Sequence, residues 1–258
     1  MLHPFFAEGQ TPRIFGHRGF VSDANAERGI AENSRAALAA AVDAGADYVE
    51  SDCQLTADGE VVLFHDSTLE RTLGDARRIS TVTHAQLAEL MSDRGGLITL
   101  AEALTELPSI RLNVDMKSPE VATPAGTLIG SLAPDRVLIS SFSDRLRLEA
   151  LAAAEAAGGR PAAGAGQSAI VKILAAVAMR SSALLDRAFA GIDALQIPVK
   201  QGPLRVLSHG LLRAAHERGV EVHVWTVNEA AQMRELVELG VDGIITDRTD
   251  LAVAALRG

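Results

Sequence analysis

The stretch YVESDCQLTADGEVVLFHD, residues 48–66, contains two β-rich runs separated by a turn signal. Asp58 and Gly59 lie between the runs 48–55 and 61–66, and an Asp-Gly pair in that position is typical of a tight hairpin. The chain is therefore expected to leave a strand, turn, and return antiparallel to it. This arrangement predicts a hairpin arm beside a sheet. The returning run is then not counted among the parallel strands of that sheet.

Most of the remaining chain alternates short β-rich runs with helical patterns rich in alanine and leucine. Nine runs are strand candidates: 13–17, 48–55, 61–66, 111–117, 136–142, 161–166, 194–199, 220–227 and 242–247. Once 61–66 is assigned to the arm, eight parallel strands remain. The pattern predicts one α/β domain over residues 1–258, a (β/α)₈ TIM-like barrel. Residues 67–98, with a helical pattern at 83–91, are expected to form a short insertion on the C-terminal rim.

Composition excludes several classes of protein. A net charge of −9 argues against a nucleic-acid partner, and the single cysteine, Cys53, excludes an internal disulfide. Residues 1–13 lack the basic region and apolar run of a signal peptide, so a cytoplasmic location is expected. Composition leaves the oligomeric state open.

The most apolar stretch, 169–191, is interrupted by Lys172 and Arg180, which argues against a membrane span. Its apolar residues recur at helical spacing, at Ile170, Ile173, Leu174 and Val177. One amphipathic helix over 169–190 that packs on the core is the favoured prediction. The alternative is a helix that rests on a lipid surface.

Polar side chains gather where the predicted strands end. They are His17, Arg18, Glu50, Asp52, His65, Asp66, Asp115, Lys117, Trp225 and Asp247. Active sites of (β/α)₈ barrels lie at the carboxyl ends of the strands. These side chains are therefore expected to share one rim.

Three acidic residues in this set point to a cation. Glu50 and Asp52 are two residues apart, so on a strand they face the same way, and Asp115 and Lys117 repeat that step. Inward carboxylates are costly unless positive charge compensates them. Three carboxylates without a thiolate favour Mg²⁺ or Ca²⁺, with Mn²⁺ as a further candidate. The alternative is ordinary salt bridges to Arg18 and Lys117.

Two histidines accompany the acids. A turn centred on Asp58 and Gly59 places His65 roughly opposite Ser51 and Asp52, although a register error of one residue would reverse its face. His17 opens onto the same rim. Two histidines beside an anion site suit general acid–base hydrolysis of a phosphodiester, whereas a lone histidine is more often structural.

Six motifs in this order resemble the glycerophosphodiester phosphodiesterase family, from about residue 13 to 253. They are GHRGF (16–20) with ENS (32–34), VESDCQLTADGEVVLFHDSTLERT (49–72), LNVDMK (112–117), LISSF (138–142), VHVWTVN (222–228) and GVDGIITD (240–247). The resemblance implies a phosphatidylinositol-phospholipase-C-like barrel. It also implies hydrolysis of glycerophosphodiesters to an alcohol and glycerol 3-phosphate.

The resemblance also implies roles for individual residues. His17 and His65 match the catalytic acid–base pair, and Glu50 and Asp52 match two metal ligands. Asp115 stands where the family usually has glutamate, so the third ligand is one methylene shorter.

The remaining matches concern substrate binding. Arg18 and Lys117 match phosphate-binding positions, and Glu32 and Asn33 match a pair near the substrate end of the first loop. The alternative for that pair is an N-cap by Asn33 with Glu32 paired to Arg18. Trp225 is expected to form a wall for the glycerol moiety, with core packing as the alternative. Two further residues, Phe142 and Cys53, are assigned to packing.

Three other functions stay open at this stage. A lysophospholipase-D-type enzyme would use the predicted helix 169–190 to face a membrane or bind an acyl chain. A non-catalytic barrel that binds a phosphorylated ligand would need neither histidine. An isomerase or aldolase would use Lys117 as a Schiff-base lysine.

Overall fold

The computed structural model describes residues 2–7 and 10–258, so Met1, Glu8 and Gly9 of the stretch scanned for a signal peptide lie outside the described residues. Eight parallel strands form the barrel: β1 (Arg13–His17), β2 (Tyr48–Leu55), β4 (Arg111–Met116), β5 (Val137–Ser140), β6 (Ala162–Ala163), β7 (Ala194–Ile197), β10 (Glu221–Val224) and β11 (Gly243–Thr246). Their order is β6-β5-β4-β2-β1-β11-β10-β7. A parallel bridge between Gly164 and Ala194 joins the two end strands. The predicted TIM-like barrel is confirmed.

The predicted hairpin arm is also present. Strand β3 (Val61–Leu63) pairs antiparallel with β2, and Cys53 lies opposite Leu63. Gly59 at the turn has φ of 86°, a conformation that favours glycine. The amide of Phe64 donates to the carbonyl of Asp52 at 2.8 Å, which continues the register toward His65. The arm therefore brings His65 to the end of β2, as the sequence predicts.

Most helices lie between successive strands and cover the barrel. The described helices are α1 (Pro4–Ala7), α2 (Asp23–Glu27), α3 (Arg35–Asp43), α4 (Glu70–Leu73), α5 (His84–Met91), α6 (Leu100–Glu106), α7 (Pro119–Leu132), α8 (Asp144–Ala156), α9 (Gln167–Met179), α10 (Ser182–Ala188), α11 (His209–His216), α12 (Ala230–Glu238) and α13 (Thr249–Arg257). A two-stranded hairpin, β8 (Lys200–Gln201) and β9 (Leu204–Arg205), follows β7. Every described helix is too short or too polar to cross a membrane.

The single helix predicted over 169–190 is wrong, because the chain forms α9 and α10 there. Arg180 ends α9 in the left-handed region, with φ of 51°, and its amide donates to the last carbonyls of that helix. The hydroxyl of Ser181 then accepts from the amide of Leu184 and begins α10. The apolar pattern continues across this break, so periodicity alone does not reveal it.

Residues 67–98 form an insertion with its own hydrophobic cluster. Helices α4 and α5 lie there with two short 3₁₀ turns. This insertion cluster is made of Val62, Phe64, Leu69, Ile79, Val82, Leu87, Met91 and Leu97. Because Val62 and Phe64 belong to or adjoin β3, the insertion and the hairpin arm pack as one unit.

Helix α1 closes the opposite end of the barrel. Phe5 and Phe6 are buried against Tyr48 and Phe15. The phenol of Tyr48 donates to the carbonyl of Phe5, and the guanidinium of Arg13 donates to that of Phe6 at 2.6 Å. With this end filled by aromatic rings, the barrel presents its polar strand ends at the other.

Candidate active site

The predicted catalytic and ligand residues line one pocket at the carboxyl ends of the strands. His17 is the last residue of β1, Glu50 and Asp52 lie on β2, and Asp115 lies on β4. These four share a pocket of about 390 Å³ with His65, Arg18, Lys117 and Trp225. The alternation of β2 sends Val49 and Cys53 into the hydrophobic core on the other side. Burial of Cys53 confirms its assignment to packing.

His17 is held by a carboxylate from the last strand. Its Nδ1 lies 2.6 Å from Oδ1 of Asp247, the residue after β11. The side-chain amide of Asn228 donates to Asp247 at 2.8 Å and fixes that carboxylate. Burial alone would lower the pKa of His17, but the hydrogen bond to Asp247 and the charge of Glu50 raise it above its usual value. With Nδ1 engaged, Nε2 is the nitrogen left for proton transfer.

His65 is held in the same way from the insertion. Its Nδ1 lies 2.6 Å from Oδ1 of Asp66, and Nε of Arg71 donates to Oδ2 of Asp66 at 2.6 Å. A second nitrogen of Arg71 donates to Glu32 at 2.5 Å. Each histidine therefore has a carboxylate partner on Nδ1 and a further polar residue behind that carboxylate.

The three acids have unequal surroundings. Lys117 Nζ lies 2.8 Å from Asp52 and 2.6 Å from Asp115. Arg18 Nε lies 3.3 Å from Asp52. Burial would raise the pKa of Asp52, yet Lys117 and Arg18 hold it below its usual value. Burial raises the pKa of Asp115 in spite of Lys117.

Glu50 has less positive charge nearby than the other two acids. The cationic group in contact with it is His17, whose Nε2 lies 3.8 Å from Oε2 of Glu50. Burial, and then the charge of Asp52, raise the pKa of Glu50 to about 8. Near neutral pH the Glu50 carboxyl is therefore mostly protonated, and a nearby cation would be needed to stabilise its charged form.

The donor set fits a hard divalent cation, although its present arrangement is not that of a metal centre. Within residues 2–7 and 10–258, no three metal-ligating side chains are grouped as a ready metal site. Between Asp52 and Asp115 lies the ammonium group of Lys117. The acids are nonetheless three buried oxygen donors, and oxygen donors are the ligands that Mg²⁺ and Ca²⁺ take.

The loop after β1 needs its special residues for steric reasons. Arg18 and Gly19 both have positive φ, 57° and 86°. A Cβ on Gly19 would lie 2.6 Å from the carbonyl carbon of Ala37, so only glycine fits. The amide of Arg18 donates to the carbonyl of Glu50 at 2.8 Å. This loop directs the Arg18 side chain back toward Asp52.

Glu32 and Asn33 support the site from behind. The side-chain amide of Asn33 donates to Asp52 at 3.0 Å, and Arg18 donates to Glu32 at 2.8 Å. Thus the predicted pairing of Glu32 with Arg18 is confirmed. The N-cap assigned to Asn33 is wrong, because the hydroxyl of Ser34 caps α3. The pocket lining does not include either residue, and direct substrate contact by them stays a prediction.

Trp225 and Phe142 form one side of the pocket mouth. Their ring centroids are 5.9 Å apart in an edge-to-face arrangement. Trp225 also packs on the aromatic cluster inside the barrel, which confirms its packing role, while contact with the glycerol moiety stays a prediction. Phe142, assigned to packing, does pack on Trp225, but at 63% exposure it lies outside the core.

Some residues of the site escaped the sequence analysis. Asp247 stood among the strand-end residues without a role, and Asn228 and Arg71 had none. Asn228 lies within the VHVWTVN motif and Arg71 within the segment that follows His65 and Asp66. The available signals were a polar residue at the end of a motif, Asn228, and a basic residue in the rim insertion, Arg71.

Because burial raises the pKa of Glu50 to about 8 from 4.5, folding becomes less favourable as the pH rises through that window. Below about pH 4.5 the carboxyl is neutral in both states, and above about pH 8 it is charged in both. We expect Glu50→Gln to raise the free energy of unfolding of metal-free protein by roughly 1–3 kcal/mol at pH 8.5 and little at pH 4.5. Urea unfolding in a chelator at both pH values measures the difference. The control is Glu235→Gln, because Glu235 is exposed. An equal gain for Glu50→Gln at both pH values would contradict the raised pKa of Glu50.

Comparisons with known proteins found a matching family and related structures. The model of the Glycerophosphoryl diester phosphodiesterase family matches residues 17–251. A probable glycerophosphodiester phosphodiesterase 2 of Mycobacterium tuberculosis is 35% identical over 237 residues, which cover 91% of this chain and 87% of that protein.

Solved structures share the fold. A glycerophosphodiester phosphodiesterase of Thermotoga maritima superposes with a TM-score of 0.72 at 26% identity, covering 93% of this chain and 96% of that one. A phosphodiesterase of Oleispira antarctica, solved with the product sn-glycerol-3-phosphate, gives a TM-score of 0.71 at 22% identity, covering 96% and 98%. At that lower identity the likeness shows the fold alone.

Proposed function

Because the chain belongs to the glycerophosphoryl diester phosphodiesterase family and is thus a phosphoric diester hydrolase, we propose that it uses a divalent cation and two histidines. Its substrates are glycerophosphodiesters, and the proposed products are an alcohol and glycerol 3-phosphate. The observation that carries the proposal is the matched support of His17 and His65, each with Nδ1 2.6 Å from a carboxylate oxygen in one pocket.

The chain's own residues suit the proton transfers of this reaction. One histidine takes a proton from the attacking water, and the other gives a proton to the leaving oxygen. Asp247 and Asp66 hold the two imidazole rings in place through Nδ1. Arg18 and Lys117 supply positive charge at the pocket, where the phosphoryl oxygens gain negative charge.

The proposed cation would be held by Glu50, Asp52 and Asp115. When bound, it would neutralise charge on the phosphoryl group and balance the buried acids. Lys117 would then be free to turn from these carboxylates toward substrate. Burial alone would lower the pKa of Lys117, but the proximity of Asp115 and Asp52 raises it above its usual value, so its amine is a charged ammonium. That state opposes the aldolase alternative, since a Schiff base requires a neutral amine.

The proposal is tested by release of glycerol 3-phosphate from glycerophosphocholine, glycerophosphoethanolamine and glycerophosphoglycerol with Mg²⁺, Ca²⁺ or Mn²⁺. We expect hydrolysis with at least one of these metals. The control is His17→Gln protein purified in parallel. Binding of the diesters without turnover under every condition would instead support the non-catalytic barrel.

Asp115 is the test of the ligand set. We expect Asp115→Glu to retain or raise kcat/KM, because the longer carboxylate restores the reach that the family usually has. Asp115→Ala should lose at least about 100-fold, since even residues behind metal ligands are worth 10- to 100-fold. Steady-state assays across a Mg²⁺ titration compare the two variants. Equal losses in both would mean that the shorter acid is needed as it stands.

A further inference from the structure

The pocket continues past the phosphate site as an apolar wall. We use that name for Phe142, Ile170, Val171, Leu174 and Leu204, which line the same pocket as the histidines. The charged residues of the lining all belong to the cluster of histidines, acids and cations described above. The wall therefore offers a substrate apolar contact and no charge.

Helix α9 supplies three of the five wall residues. Ile170, Val171 and Leu174 lie at helical spacing and line the pocket. Ile173 and Ala176 are buried, and Ile170 and Leu174 are half-buried against the same core. The helix is thus anchored to the core beside the pocket, and Val171 is the wall residue of α9 that it leaves exposed.

The wall contains several of the large apolar side chains that the protein leaves exposed to water. Eight large apolar side chains are exposed in the described part of the chain. Three of them belong to the wall: Phe142 at 63%, Val171 at 60% and Leu204 at 57%. They come from three separate segments, the loop after β5, helix α9 and the β8–β9 hairpin. Convergence of exposed apolar groups at a catalytic pocket is typical of a ligand-binding surface.

We propose that the apolar wall binds the single hydrocarbon chain of a lysophospholipid, so that the preferred diester carries one acyl or alkyl chain on its glycerol. This inference rests on the proposed function. A water oxygen forms the new bond to phosphorus and gives up a proton, while the bond from phosphorus to the head-group oxygen breaks and that oxygen gains a proton. The products are an acylglycerol phosphate and the free head-group alcohol.

A quaternary ammonium head group is the competing occupant, because aromatic rings attract cations. Lys117 Nζ already lies 5.9 Å from the centroid of the Phe142 ring. A second cation on that ring would be repelled by the first. The remaining wall residues are aliphatic and suit a hydrocarbon chain better than a charge.

Binding of alkyl phosphates tests the wall without turnover. Trp225 is the only tryptophan in the chain and lines the pocket, so its fluorescence reports occupancy. Full burial of one methylene group raises affinity about fourfold. Contact with a half-open wall should raise it about twofold for each methylene group. We therefore expect octyl phosphate to bind about 100-fold more tightly than methyl phosphate. Equal affinities, or phosphocholine binding as tightly as octyl phosphate, would overturn the inference.

Two variants test whether the preference for octyl phosphate depends on the apolar wall. We expect Leu204→Gln and Val171→Gln to reduce the preference for octyl over methyl phosphate by at least about fivefold. Both positions are exposed, so folding should be preserved. Leu148→Gln is the matched control, because Leu148 is 55% exposed on α8 and lies outside the pocket lining. An equal reduction in Leu148→Gln would assign the preference to general surface hydrophobicity and overturn the proposed site.

Hydrolysis assays separate this inference from the proposed function. We expect octanoyl-glycerophosphocholine to have a higher kcat/KM than glycerophosphocholine, and Leu204→Gln to reduce that ratio. If neither diester is hydrolysed while octyl phosphate still binds preferentially, the proposed function fails and the apolar wall stands as a hydrocarbon-binding site. If glycerophosphocholine is hydrolysed and the octanoyl chain improves neither binding nor kcat/KM, the inference about the apolar wall fails while the proposed function stands.

Discussion

Replacing His17 or His65 by glutamine should each lower kcat for a glycerophosphodiester by about 10²–10⁴-fold, the usual worth of general acid–base catalysis. Each substitution removes a nitrogen that transfers a proton while it keeps a polar side chain in the pocket. The double variant should lose little more than the less active single variant, because losses at catalytic residues that act as a unit are not additive. Steady-state kinetics on all three proteins measures these losses.

His209→Gln is the matched control, since His209 is exposed at the start of α11 on a different part of the surface. It should retain the activity of the unchanged protein. Circular dichroism and urea unfolding would show whether the site variants keep the fold. Retention of activity within a few-fold by either site variant would contradict the two-histidine mechanism.

Exhaustive chelation with EDTA should reduce hydrolysis to the background rate, and excess Mg²⁺ should restore it. The reason is the set of three buried acids: burial and the charge of Asp52 raise the pKa of Glu50 to about 8, so a bound cation is needed to keep its carboxylate charged at neutral pH. Activity after chelation and after each metal addition gives the direct measurement.

A second measurement makes this prediction independent of turnover. Mg²⁺ added to chelated protein should raise the melting temperature, since a cation that binds only the folded state stabilises it. Asp115→Ala, which lacks one proposed ligand, should show a smaller increase at the same metal concentration. Full activity after exhaustive chelation, with no change in melting temperature on adding Mg²⁺, would contradict the metal assignment.

The sequence predicted the fold well because its signals are local. Asp58 and Gly59 identify a hairpin, and that single turn converts nine strand candidates into eight parallel strands and an arm. Alternation within β2 places Glu50 and Asp52 on one side, where the structure has them. The break at Arg180 was missed because the apolar residues on both sides of it keep their helical spacing.

The supporting residues of the site were harder to predict, because their partners are distant in sequence. Asp247 meets His17 across 230 positions, and Arg71 meets Glu32 across 39. Strand order brings the first pair together, since β11 lies beside β1. The second pair depends on how the insertion folds over the rim, which no periodic pattern describes. Lys117 lies between two acids for a similar reason, because Asp52 and Asp115 are neighbours only through the pairing of β2 with β4.

The insertion cluster has a consequence for how the two proton-transfer groups are anchored. His17 is fixed to the barrel by β1 and Asp247, whereas His65 adjoins Phe64, whose ring is buried in the insertion cluster with Leu87 and Met91. His65 is thus held by two attachments, to β2 through the pairing of β3 and the bond from Gln54 to its carbonyl, and to the insertion through Phe64. Substitutions far from the phosphate, inside the insertion cluster, can therefore tune the span available to a transition state by acting on one of the two imidazoles.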